Sequence, residues 1–429
     1  MVELTAWQHG FNRQVRVPGD KSLTHRAILF SAVAHGDMEI EGWLDAADTR
    51  SSLGLVQALG VQLVESSARR VVLRSSGLLE EPSAVIDCGN SGTTMRLATG
   101  LAAGVAGLVV LTGDESLVRR PMQRVIDPLA QLGVTVLSRG GGYAPLALRG
   151  GRHRGGQFVL PVASAQVKSA LLLAGLSADE AVSVQEPTRS RDHTERMLKV
   201  MGASVNVAGL RTTVQPGRLN AIGFDVPGDP SAAAFWCALA AVAPDRVVTV
   251  PNLLFNPTRT GFFRVLQRMG SRLKWEEAGQ VPEPWGTLTV SGMVQQAIVV
   301  EAAEIPAMVD EVPLLALLAT QCEGTSVIGG AGELRVKESD RIRVTTEILR
   351  TMGAKIEEQP DGWVIEGPTP LHGAAVDGRG DHRMAMLAAV AATVARGHTQ
   401  LTGEDSVRIS YPRFFEQYWA LKNGTSSRF

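Results

Sequence analysis

The chain has 429 residues, of which 45% are apolar and 20% charged, enough to bury a sizeable core in two domains of ordinary size. Its formal net charge is −1, which argues against non-specific nucleic-acid binding and requires any basic residues that serve an anion to be gathered locally. Cys88, Cys237 and Cys322 are far apart, form neither a metal nor a redox pair, and predict buried thiols in a reducing compartment. No basic segment followed by an apolar run opens the sequence, so a cytoplasmic location is expected, with no nucleic-acid or membrane partner. The apolar stretch 97–111 carries Gly100, Gly104 and Gly107 and reads as a buried helix running into a strand, too short to span a bilayer.

Along the chain, a short polar or glycine-bearing turn followed by a small-residue apolar helix occurs six times. The turns are Gly19-Asp20-Lys21-Ser22, Gly89-Asn90-Ser91-Gly92, Ala163-Ser164-Ala165-Gln166, Gly228-Asp229-Pro230-Ser231, Asp310-Glu311-Val312-Pro313 and Gly380-Asp381-His382-Arg383. After each turn the pattern predicts a helix such as 26–34, then a short strand such as 38–40 or 108–111, then a second, amphipathic helix. Five second helices end alike, at Leu59-Gly60, Leu132-Gly133, Met201-Gly202, Met269-Gly270 and Met352-Gly353, where Gly suits a left-handed C-cap. An alternating hairpin follows, for example 61–64 with 70–73 or 204–207 with 212–214. The unit is helix–strand–helix–strand–strand, with parallel and antiparallel pairs in one α/β sheet. Three copies to a domain place the boundary at residues 224–230, where two prolines and a glycine make a linker. The first repeat starts only after residue 18, so residues 1–17 are expected to lend a strand to the C-terminal half. The domains are then 18–227 and 1–17 plus 228–429, hinged near 17–19 and 227–228, and suited to closing over a ligand.

The first N–H groups of a helix lack intrahelical partners and carry partial positive charge. Asp, Asn or Ser caps them, and for any one turn such capping is the plain reading. Cations in several turns favour anion binding instead. Lys21 and Arg26 belong to the first turn. Arg119 and Arg120 precede Pro121, which suits a first helical position. Arg189, Arg191 and His193 precede a helix over 194–200, with Arg189 the one best read as surface charge. Lys337 and Arg341 are expected on one helix face, and Arg383 on the first turn after Asp381. Among the acids, Asp310 lies just before a helix start. Glu338, three residues from Arg341, is either a surface ion pair of ~0.2–0.5 kcal/mol or a proton-transfer group among cations. Gly92 marks either a positive-φ turn or a place where a ligand excludes a side chain. The sequence lacks a complete P-loop, a His-Glu-x-x-His zinc pattern and a Gly-x-Ser-x-Gly elbow, so no metal and no cofactor is expected.

In order, Pro18-Gly19-Asp20-Lys21-Ser22 with Arg26, Asn90-Ser91-Gly92-Thr93-Thr94 with Arg96, Arg120-Pro121-Met122, Ser164-Ala165-Gln166, Arg335-Val336-Lys337-Glu338-Ser339-Asp340-Arg341 and Asp381-His382-Arg383-Met384-Ala385 resemble the motifs of 5-enolpyruvylshikimate-3-phosphate synthases, over nearly the whole chain. The resemblance implies a two-domain inverse α/β barrel and a monomer. It also implies transfer of the enolpyruvyl group of phosphoenolpyruvate to the 5-hydroxyl of shikimate 3-phosphate in an interdomain cleft, releasing phosphate, on the shikimate pathway to chorismate. By the same resemblance Lys21, Ser22, Arg26, Ser164, Ala165, Arg191, Asp310 and Lys337 hold shikimate 3-phosphate. Lys21, Gly92, Arg120, Gln166, Arg341 and Arg383 hold phosphoenolpyruvate, in a pocket that the herbicide glyphosate occupies in this family. Glu338 protonates the methylene carbon, and Asp310 or Lys21 takes the 5-hydroxyl proton. Many family members carry a lysine in the final loop; here Ile409 stands in that register and Arg408 one place earlier. The sister enolpyruvyltransferases acting on a UDP-amino sugar usually carry a cysteine before the Arg-Pro pair, and residues 112–120 have none. A non-catalytic anion binder on the same repeat would need the cations but not Asp310 and Glu338.

Overall fold

The structure is a computed structural model and describes residues 1–7 and 9–424. It divides into two compact units, Gly19–Val226 and Met1–Pro18 with Pro227–Phe429. The helices in chain order are α1 (Lys21–Ser31), α2 (Ala47–Ala58), α3 (Gly92–Ala102), α4 (Gln123–Gln131), α5 (Ala165–Ser177), α6 (His193–Val200), α7 (Pro230–Ala241), α8 (Gly261–Arg268), α9 (Val312–Ala319), α10 (Arg341–Thr351), α11 (His382–Ala392) and α12 (Phe414–Lys422).

In each repeat the first helix is the core element. Every residue of α7, α9 and α11 is buried, as are residues 23–31 of α1 and 167–176 of α5. These helices pack on one another inside their unit, α3 against α1 and α5, and α7, α9 and α11 mutually. Small residues allow that: a Cβ on Gly100 of α3 would sit 2.2 Å from the Ala170 carbonyl oxygen of α5, so only glycine permits this approach. The second helices end as their sequences predict, with Gly60, Gly133, Gly202, Gly270 and Gly353 all at φ between 93° and 108°, the left-handed cap.

Each repeat builds one sheet. Gly156–Val159 pairs parallel with Val182–Gln185, which runs antiparallel to Arg211–Val214, itself antiparallel to Val205–Ala208. Every such sheet needs a parallel edge strand from outside its own helix–hairpin order. In the first repeat Leu219–Asn220 and Gly223–Asp225, from the far end of the same unit, pair parallel with Ala34–Glu41. In the fourth, Phe11–Gln14 pairs parallel with Arg246–Leu254. The sixth repeat lacks a hairpin, and Val2–Thr5 fills that place against His398–Thr402. The N-terminal segment therefore supplies two strands to two sheets where one was expected. Arg246 ties it down: its buried guanidinium donates to the Trp7, Leu239 and Thr393 carbonyls and to Thr393 Oγ1, and desolvation lowers its pKa to about 10.

Local boundaries differ from the sequence pattern in three places that matter. Helix α1 begins at Lys21, and Ala34 already belongs to the following strand. Helix α4 begins at Gln123 with Met122 as N-cap, so Pro121 lies before the helix and Arg120 caps the end of the 3-10 turn Leu117–Arg119 that precedes it. Lys337 ends a 3-10 turn, Gly332–Val336, and α10 starts only at Arg341. Lys337 and Arg341 do not share a helix face, because Asp340 caps α10 by accepting from Arg343 N and fixes its start there. The three cysteines are buried, and burial pushes the Cys88 and Cys322 thiols up to about 12. No described helix is long and apolar enough to cross a membrane.

Candidate active site

In the unit Gly19–Val226, the N-termini of α1, α3 and α5 carry the turns singled out in the sequence. The capping reading holds for their carboxylate and hydroxyls: Asp20 Oδ1 accepts from Leu23 N at 2.8 Å, Ser91 Oγ from Thr94 N at 3.1 Å and Ser164 Oγ from Val167 N at 3.4 Å. The cap of α3 is thus Ser91, not Asn90. Asn90 instead donates to Asp114 Oδ2 at 2.7 Å and accepts from Arg120 Nη2 at 2.8 Å, which carries Arg120 back to the start of α3.

Two groups of cations result. Around Gly92 stand Arg96 and Arg120, whose Nη1 atoms lie 3.0 and 3.4 Å from the position of an added Cβ. Arg96 Nη1 donates to Gln166 Oε1 at 2.7 Å, and Gln166 Nε2 donates to Thr93 Oγ1 at 3.0 Å. Lys21 Nζ pairs with Asp48 Oδ2 at 3.0 Å, and Thr94 Oγ1 reaches the Asp48 carbonyl. Beneath them His25 is buried, with Nδ1 2.8 Å from Ser52 Oγ, itself 2.7 Å from Thr94 Oγ1. Burial, with Lys21 and Arg26 nearby, drives the His25 pKa well below its usual 6.5. In the second group Arg191 Nη1 donates to Ser22 Oγ at 3.3 Å. Arg26, also buried, donates to Thr194 Oγ1 at 2.8 Å, to Ser169 Oγ at 2.9 Å and to the Ser22 carbonyl at 3.0 Å. Ser164 and Ala165 belong to the same α5 terminus, whose Ala165 carbonyl accepts from Ser169 Oγ. Arg189 is exposed and bonded to the Gly209 carbonyl.

In the other unit the chemistry converges on Arg341, 1% exposed. Its Nε donates to Asp381 Oδ2 at 2.8 Å, Nη2 to Glu338 Oε2 at 2.5 Å and Nη1 to Asp310 Oδ1 at 3.3 Å. Desolvation opposes its charge, but Asp381, Glu338 and Asp310 outweigh that and raise its pKa. Burial raises the Asp381 carboxyl, but Arg341 overcomes it and holds the group below its usual value. Asp381 also caps α11, accepting from Arg383 N at 2.9 Å. Arg383 Nη2 lies 3.8 Å from Asp310 Oδ2, and its Nη1 3.8 Å from Glu311 Oε1. Desolvation draws the Lys337 ammonium below the ordinary lysine range, with Asp310 pulling the other way. Arg408 is an exposed side chain 3.9 Å from Asp405.

The sequence reading missed Asp48, the bonds of Asn90 to Asp114 and Arg120, the Arg96–Gln166 link, and a buried Lys168 between Glu186 and Glu195. It also took Asp381 for a cap alone. The available signals were Arg96, one helical turn after Gly92, and a lysine inside an otherwise apolar helix, 165–177.

A model of the EPSP synthase (3-phosphoshikimate 1-carboxyvinyltransferase) family matches residues 8–418. The chain is 49% identical over 419 residues to a 3-phosphoshikimate 1-carboxyvinyltransferase of Synechococcus sp. (strain WH7803), covering 95% of each chain. It is 46% identical over 413 residues to that of Geobacillus kaustophilus, covering 95% of this chain and 97% of the relative. Among solved structures, an EPSP synthase from Acinetobacter baumannii superposes with a TM-score of 0.86 at 36% identity over 96% of both chains. The enolpyruvyl transferase NikO from Streptomyces tendae shares the fold, with a TM-score of 0.78 at 18% identity over 98% of this chain and 96% of that one.

Proposed function

The chain belongs to the EPSP synthase family, and from that premise we propose which of its residues hold each substrate and which move protons. The enzyme transfers the enolpyruvyl group of phosphoenolpyruvate to the 5-hydroxyl of shikimate 3-phosphate, in the shikimate pathway. Phosphoenolpyruvate falls to the group around Gly92, namely Lys21, Arg120 and Gln166, together with Arg341 and Arg383. Shikimate 3-phosphate falls to Lys21, Ser22, Arg26, Ser164, Ala165 and Arg191, with Asp310 and Lys337 at its ring hydroxyls. Guanidinium forks and ammonium groups suit the phosphates and carboxylates of the two substrates.

The proton steps follow from the reaction. Glu338 delivers a proton to the methylene carbon of phosphoenolpyruvate, while the 5-hydroxyl oxygen bonds to the adjacent carbon and loses its proton to Asp310 or Lys21. The tetrahedral adduct then breaks its carbon–oxygen bond to phosphate as the new methyl group returns a proton to Glu338. Fixing both reactants makes the addition effectively unimolecular, and cations stabilise charge on the departing phosphate.

The observation that carries this division is the sharing of one buried guanidinium, Arg341, by Asp310 and Glu338 through separate nitrogens. Such an arrangement fixes two proton-transfer groups relative to each other, which an anion binder does not need. The test is phosphate release with both substrates present, against controls with either omitted and with a UDP-amino sugar in place of shikimate 3-phosphate. Release with the UDP-amino sugar alone would reassign the acceptor. The same reading takes the enzyme to be a cytoplasmic monomer, to be checked by cell fractionation and sedimentation.

A further inference from the structure

The Glu186–Glu195 segment links the Val182–Gln185 strand to α6 and carries Arg191. Both its ends meet one ammonium. Lys168 Nζ, from α5, lies 2.7 Å from Glu186 Oε2 and 2.7 Å from Glu195 Oε1, with all three side chains at most 6% exposed. Within the segment Ser190 Oγ donates to Glu186 Oε1, which fixes the residue next to Arg191. Glu195 Oε1 also accepts from Thr212 Oγ1 at 3.4 Å. The neighbours of this triad hold Arg26: Ser169 follows Lys168 on α5, Thr194 precedes Glu195 on α6, and both hydroxyls accept from the Arg26 guanidinium.

Burying three charges is a poor way to gain stability, since well-packed apolar side chains of similar volume do as well or better. What an ion pair adds is direction: the carboxylates must meet the ammonium, so both ends of the segment have one allowed placement. With Arg26 included, two cations and two carboxylates balance.

We propose that Lys168, Glu186 and Glu195 form a positioning triad that aims Arg191 and Arg26 as a preformed grip for the phosphate of shikimate 3-phosphate. This rests on the reading that Arg191, Arg26 and Ser22 bind that phosphate. The triad touches no substrate and acts through the arm it fixes.

The test measures shikimate 3-phosphate binding by calorimetry without phosphoenolpyruvate, together with KM for each substrate, in Arg191→Ala, Lys168→Met and the double variant. Lys168→Met is expected to weaken shikimate 3-phosphate roughly 2- to 30-fold, the range of coupling through a positioning network. Its KM for phosphoenolpyruvate should stay within about twofold, and the double variant should be little weaker than Arg191→Ala, since the two changes disable one grip. A folded Lys168→Met with unchanged shikimate 3-phosphate binding, equal losses for both substrates, or fully additive losses in the double variant would each overturn the positioning role. No loss in Arg191→Ala would instead overturn the phosphate-site reading, and the proposal with it. If Lys168→Met does not fold, Ser190→Ala removes a single hydrogen bond beside Arg191 and should give a smaller loss, roughly 2- to 5-fold, confined to shikimate 3-phosphate. Unchanged binding in that variant would overturn the proposal.

Discussion

Replacing Gly92 with Ala separates two reasons for a glycine at the start of α3. A positive φ is not the reason, because Gly92 is absent from the left-handed residues of the chain and is the first residue of α3. Alanine there meets no backbone strain, so the variant should still fold. The new methyl would sit 3.0 Å from Arg96 Nη1, 3.4 Å from Arg120 Nη1 and 3.7 Å from Leu117 Cδ1. A comfortable carbon–nitrogen contact is ~3.5–4.0 Å, so the Arg96 tip must yield by several tenths of an ångström. That tip is held by Gln166 Oε1 at 2.7 Å, so the displacement passes to Gln166, a second proposed contact of phosphoenolpyruvate. Overpacking of this size costs ~1–3 kcal/mol, a loss of roughly tenfold to a hundredfold in phosphoenolpyruvate affinity at ~1.4 kcal/mol per tenfold. Glyphosate, which the family resemblance puts in the same pocket as the bulkier occupant, should lose more. Shikimate 3-phosphate should bind as before, since Ser22 and Arg191 are not among the methyl's nearest neighbours. Steady-state KM and glyphosate inhibition, with calorimetry for shikimate 3-phosphate, measure all three. Equal losses for phosphoenolpyruvate and glyphosate would mean that the methyl acts through the turn. A folded variant with neither loss would remove Gly92 from the pocket.

Glu338→Gln and Asp310→Asn should keep the fold and bind substrate but lower turnover by ~10²–10⁴; single-turnover rates check this, and near-normal turnover in either variant would take that residue out of the mechanism. His25 is neutral when folded because its pKa is well below 6.5, whereas unfolded it takes up a proton as pH drops through about 6.5. Stability should therefore fall as pH drops below that value, by at most ~1.4 kcal/mol per unit from this residue. Urea titrations at a series of pH values should show a shallower slope in His25→Gln, and an unchanged slope would assign the acid sensitivity elsewhere. Arg246→Met leaves the Trp7, Leu239 and Thr393 carbonyls short of a buried donor and should lower the unfolding free energy by ~2–4 kcal/mol with little change in KM; wild-type stability would show that the N-terminal strands hold without it.

The repeat was legible because its signals are local. A Gly after five of the second helices, a capping residue before the first helices and alternation in the hairpins are all dictated by neighbouring residues; the structure places the five glycine caps where the pattern put them and a capping side chain at the start of α1, α3, α5, α7 and α11. What was not legible depends on partners far apart in sequence. Asp48 meets Lys21 from another helix, and Lys168 meets Glu186 and Glu195 across a strand and a loop. No local periodicity distinguishes a lysine that snorkels to solvent from one that pairs inside. The N-terminal segment shows the same limit. Its expected strand is two strands, because the sheets of the fourth and sixth repeats each lack a strand that nothing in the sequence of the segment itself announces. Glu338 was weighed as a helical i,i+3 pair, but its contact with Arg341 forms before the helix begins, where Asp340 has already turned the chain.

One helix terminus thus serves two chemistries, and the difference lies in what faces it. Around α1, α3 and α5 hydroxyls and amides accept from the cations Arg26, Arg96, Arg120 and Arg191. A neutral acceptor orients a guanidinium without itself cancelling the charge. Around α9 and α11 the cations Arg341 and Arg383 face carboxylates instead, with Arg341 against three of them. There the guanidiniums proposed to hold phosphoenolpyruvate also fix the placement of acids that can take and give protons. The repeat supplies the helix ends and their dipoles; in the proposed reading a handful of side chains opposite each end decides whether it only grips an anion or also handles a proton.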